Sequence, residues 1–125
     1  MKLPIDVKVE VTAASGEKYI GAFKIKTRLS IREMLEQDAK RRALLGANPE
    51  NASSDAAQLS FVVAKINSHL VTHTADGYKL PSWWADNNMG LDLLDVEPVE
   101  DLFKKIMDCL AEEEKALKIE AKKIP

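Results

Sequence analysis

The sequence predicts an α+β fold, an N-terminal antiparallel hairpin packed against about three helices, on three observations. Residues 5 to 12 alternate strictly between apolar and polar, the pattern of a half-buried strand. Three later stretches carry apolar residues at helical spacing. Between the last two lies a long segment, "KLPSWWADNNMGLDLLD", whose composition is apolar but whose spacing fits neither element.

The first strand places Ile5, Val7, Val9 and Val11 on one side. A second alternating run follows "AASG". Only one register joins both apolar faces: Val11 opposite Tyr19, Val9 opposite Gly21, Val7 opposite Phe23 and Ile5 opposite Ile25. It sets Asp6 across from Lys24 on the other face, and a slip of one residue would oppose the valines to lysines. The hairpin should span about residues 5–26. Two strands alone are marginal in water, so helices must cover them. Gly21 leaves a gap between Tyr19 and Phe23 that can admit a neighbouring backbone.

"SIRE" at residues 30 to 33 has capping-box spacing, and Gly46 is a natural stop, giving a helix over about 31–45. Ile31, Met34, Leu35, Ala39 and Leu45 share one side of it, with Asp38 and Arg42 in the middle. That pair reads as an intrahelical bridge in preference to a contact with another chain. A second helix is expected over about 55–73, with Leu59, Val62, Val63, Ile66 and Leu70 as its stripe and Phe61 on the opposite side. A third, over about 98–120, starts at Pro98 and carries Val99, Leu102, Phe103, Ile106, Leu110 and Leu117. The connection between these two helices far exceeds the median of roughly 4–6 residues. Its content is too apolar for disorder, so it should pack as an ordered arm over the helices, with a short turn at "PSWW". If the arm covers Phe61, that residue is core; otherwise the two form an exposed apolar patch.

The totals describe one domain, residues 1–125, with 46% hydrophobic and 30% charged residues and a net charge of −2, a globular mixture with no general attraction to nucleic acid or anionic lipid. The longest strongly apolar run, Phe61 to Ala64, is far too short for a membrane span, and the N-terminus lacks a signal-peptide block. The single Cys109 excludes an internal disulfide and fits a reducing compartment.

Catalytic signals are sparse. His69 and His73 have the i,i+4 spacing of two metal ligands, but Leu70 stands where a zinc protease helix carries its glutamate, and no third histidine exists. No glycine-rich phosphate loop occurs, so no metal and no cofactor are expected. The basic cluster Lys40, Arg41, Arg42 complements a helix C-terminus better than it reads as a nucleic-acid patch. The expectation is a non-enzymatic interaction protein.

The order of features resembles the tail assembly chaperones of long-tailed bacteriophages: a hairpin of the form "EKYIGAFKIKTRLS", a charged helix ending in "RRALLG", a helical middle, "PSWW", and an amphipathic helix, over about residues 17–110. The positions that match are Tyr19, Gly21 and Phe23, then Arg41, Arg42 and Gly46, then Pro81, Trp83 and Trp84; the polar spacer "THTADGYK" departs from the pattern. The resemblance implies a protein that coats the tape measure protein, recruits tail-tube subunits, acts in the host cytoplasm during virion assembly and has a second form made by frameshifting. It makes Tyr19, Phe23, Arg41, Arg42, Trp83 and Trp84 candidate partner-binding residues, to which Phe61 is added by its place opposite the apolar stripe, and leaves a homo-oligomer open. The alternative is a structural virion subunit of the neck, connector or tail tip; a small metal protein built on His69 and His73 is a third option.

Overall fold

The computed structural model describes residues 4–46, 53–72 and 77–122. An antiparallel hairpin, β1 (Ile5–Thr12) and β2 (Lys18–Ile25), precedes α1 (Ile31–Leu45), α2 (Ser54–His69), the single turn α3 (Ser82–Ala85) and the long α4 (Glu97–Lys122). The fold is α+β, and the hairpin register is the one that joins the apolar faces, from Ile5 opposite Ile25 to Val11 opposite Tyr19. The Asp6 and Lys24 side chains meet at 2.9 Å on the outer face.

Val9, Phe23 and Ile25 on the inner face are buried against Val63 and Ile66 of α2, Leu102 and Ile106 of α4, and Trp84. These β-branched and aromatic side chains, alternating along two strands, meet two helical stripes and close one core. α4 carries Asp101–Lys105 and Glu114–Lys118 pairs outside its stripe, and Lys105 reaches the carbonyl of Lys8 on β1.

The capping box at α1 is complete: Ser30 Oγ accepts from the Glu33 amide, and Glu33 accepts from the Ser30 amide. Glu33 also accepts from Lys26. The Lys26 bond first, and then the Ser30 amide, bring its carboxyl down to about 2.

The structure corrects three expectations. α2 does not run to His73: it stops at His69, and residue 73 lies outside the described residues. Leu70 turns extended and bridges to Ile25, while the Val71 amide donates to the Lys24 carbonyl and the Lys26 amide to the His69 carbonyl, both at 2.9 Å. The backbone groups at the open edge of β2 need partners more than the helix needs another turn.

The tryptophan arm, secondly, lies on the hairpin as well as the helices. Pro81 and Trp83 fill the gap above Gly21: a Cβ there would stand 2.4 Å from Pro81 Cγ. Trp83 donates Nε1–H to the Ile20 carbonyl at 2.9 Å and meets Tyr19 and Phe23 edge to face, while Trp84 is fully buried.

Thirdly, α1 buries no residue. It lies antiparallel to α2, its end beside Ala56 and its start beside His69, but Ile31 and Leu35 on its apolar side are 75% and 67% exposed.

Candidate partner-binding surface

The core-facing candidates are structural. Phe23 and Trp84 are inaccessible and Tyr19 nearly so, with the Tyr19 hydroxyl donating to Asp95 at 2.5 Å. That hydrogen bond, with burial and the Asp95 charge, raises the phenol to about 12. Phe23 and Trp84 offer no surface in this fold, and Tyr19 offers little.

Arg41 and Arg42 both pair with Asp38, each at 3.0 Å, so the intrahelical bridge is present and doubled. Phe61 is 42% exposed. It meets Phe103 of α4 edge to face at 6.4 Å, and Lys65 lies over its ring. Phe61 is thus neither fully core nor fully exposed, and forms a half-covered pair with Phe103.

His69 is buried and points Nδ1 at the Lys26 carbonyl, 2.7 Å away. Burial holds its pKa below the ordinary value. Among the described residues no group of three or more His, Cys, Asp or Glu side chains is placed to hold a metal. Burial raises the Cys109 thiol, which disfavours a nucleophilic thiolate.

One uncovered apolar feature is a cleft that the sequence did not single out. It is built from the end of α1 (Leu44, Leu45), the first half of α2 (Ala56, Leu59, Val63) and the connection into α4 (Leu91, Leu94, Val96), and encloses about 400 Å³. Leu94 is 98% exposed at its rim, and Leu44, Leu59, Leu91 and Val96 are also exposed. Leu59, expected in the core stripe of α2, lines the cleft instead.

The connection is held in this shape rather than hanging loose. Asn88, Met89 and Gly90 are successive left-handed residues, a conformation disfavoured for the two with side chains. Asn87 Nδ2 donates to the Trp83 carbonyl at 2.7 Å and Asn67 Nδ2 to the Met89 carbonyl at 3.3 Å. Gly90 is packed so closely on Trp84 that a Cβ would meet its ring at 2.7 Å. The Tyr19–Asp95 bond pins the far end. Between these anchors Leu93 turns inward and Leu94 outward. The buried tryptophan thus serves as the platform that presents exposed leucines.

A second apolar area, around Met34, Leu110 and Leu117, lies between α1, α2 and α4. Lysine, arginine and glutamate side chains are mixed around it. The sequence signal for the Leu94 cleft is "GLDLLD", an excess of leucine in a connection outside the regular helical stripes. No family model, curated protein or solved structure matches this chain.

Proposed function

We propose that the protein is a tail assembly chaperone of a long-tailed bacteriophage, a non-enzymatic binding protein that coats the tape measure protein and assists assembly of tail-tube subunits around it. The family resemblance supplies the biological role. The observation that carries the binding activity is the apolar cleft whose rim residue Leu94 is 98% exposed on a strained, anchored connection. Exposed apolar patches of this kind mark protein partners, and a groove lined by aliphatic side chains suits the apolar face of a client helix. Burying Leu94 alone against a client is worth about 1.5–3 kcal/mol.

No described helix is long and apolar enough to cross a membrane. The test is copurification. The tape measure protein should associate with this chain in infected-cell lysates, and the chain should be missing from purified virions. Its presence in mature particles at fixed copy number would replace the chaperone with a structural subunit of the neck, connector or tail tip.

A further inference from the structure

The cleft does not end at Val96. A second, smaller hollow of about 340 Å³ adjoins it and shares Leu59, Val96 and Val99 with it, so the two form one apolar strip. Its charges are of a single sign. Asp95 lines the first hollow, Asp55 and Glu100 line the second, and among the described residues no lysine or arginine lines either. The arginines of the neighbouring helix, Arg41 and Arg42, are both engaged by Asp38. This one-sided border contrasts with the mixed charges around Met34 and Leu117, in a chain whose 18 basic and 20 acidic residues nearly balance.

We infer that this strip receives an amphipathic helix of a partner protein whose apolar stripe is bordered by lysines or arginines. The inference rests on the reading of the protein as a binder of helical clients and adds the docking place and the charge of the client. Aliphatic side chains at i, i+3, i+4 and i+7 enter between Leu59, Leu94 and Val96. Flanking cations then lie over Asp55, Asp95 and Glu100, where complementary charge sets partner choice and speeds association.

The test uses the full chain and two fluorescent helical peptides of about 18 residues with identical leucines, one flanked by lysines and one by glutamates. The lysine peptide should bind about tenfold more tightly at moderate salt, and the preference should shrink as salt is raised. Asp55→Asn with Glu100→Gln should reduce that preference to about threefold or less. Leu94→Asp, at a site that folding leaves in water, should weaken the lysine peptide by at least about tenfold while leaving the melting curve unchanged. Equal or reversed peptide preference, or binding indifferent to Leu94→Asp, overturns the inference. So does a dimer that Leu94→Asp dissociates, because the strip then belongs to a second copy. Equal peptide binding alongside intact capture of the tape measure protein overturns the inference but leaves the chaperone role standing. Lysine-peptide binding without that capture removes the chaperone role and keeps the docking site.

Discussion

Adding one methyl group at Gly21 should destabilise this protein, although the same change in an ordinary strand interior stabilises by roughly 0.5–1 kcal/mol through lost backbone freedom in the unfolded chain. An alanine Cβ would stand 2.4 Å from Pro81 Cγ, 2.8 Å from Pro81 Cβ and 3.2 Å from Trp83 Nε1. A proline ring cannot swing aside, so the arm must move by about 1 Å or more to reach ordinary contact distance. Such a shift stretches the 2.9 Å bond from Trp83 Nε1–H to the Ile20 carbonyl beyond useful length, which costs about 1 kcal/mol. The edge-to-face contacts of Trp83 with Tyr19 and Phe23 loosen as well, at about 0.5–1.5 kcal/mol each. Set against the favourable backbone term, the net loss for Gly21→Ala is about 1–3 kcal/mol. Urea unfolding followed by tryptophan fluorescence measures it directly. Adding Pro81→Gly removes the obstructing ring, so the double mutant should show a favourable coupling of about 1 kcal/mol or more. A Gly21→Ala protein as stable as the parent, or no coupling with position 81, would refute the packing of the arm on the hairpin.

Other expectations follow from the same contacts. Trp84→Ala empties a fully buried site and should cost about 3–5 kcal/mol in chemical denaturation; Trp83→Ala, at a half-buried position, should cost less. The Glu33 carboxyl is held down at about 2 from an ordinary 4.5, so its contribution is present above pH 4.5 and is lost as pH falls toward 2. Glu33→Gln should flatten that part of the acid-unfolding curve. Buried His69 has its pKa lowered from 6.5, so the folded state binds fewer protons than the unfolded chain, and stability should fall as pH drops below 6.5. His69→Gln should remove that dependence, as read by melting temperature against pH. Tyr19, raised to about 12 from 10.0, acts at the alkaline end: its contribution is complete below pH 10 and disappears as pH rises through about 12, which Tyr19→Phe should abolish.

The hairpin was legible because period-2 alternation leaves only one register that keeps lysines off the core face. α1 was legible at both ends, since Ser30, Glu33 and Gly46 are local signals that need no tertiary context. The end of α2 was not. Nothing near Leu70 in the sequence announces that β2, more than forty residues earlier, will claim its backbone. Gly21 and the "PSWW" turn were visible as a gap and an excess of apolar surface, but their meeting depends on a contact across some sixty residues. The cleft was hidden for a related reason. Leu59 belongs to a regular helical stripe whose other members are buried, and nothing local announces that Leu94 turns to solvent beside it. The side chains that looked most like binding residues, the tryptophans, build the support under those that remain exposed.

The central claim is that the Leu94 cleft shields an apolar helical client, and coexpression with the tape measure protein of the same genome tests it most directly. The native chain should keep the tape measure protein in the soluble fraction, and Leu94→Asp, folded and equally abundant, should let it precipitate. Equal solubility with the native chain and with Leu94→Asp would contradict the account.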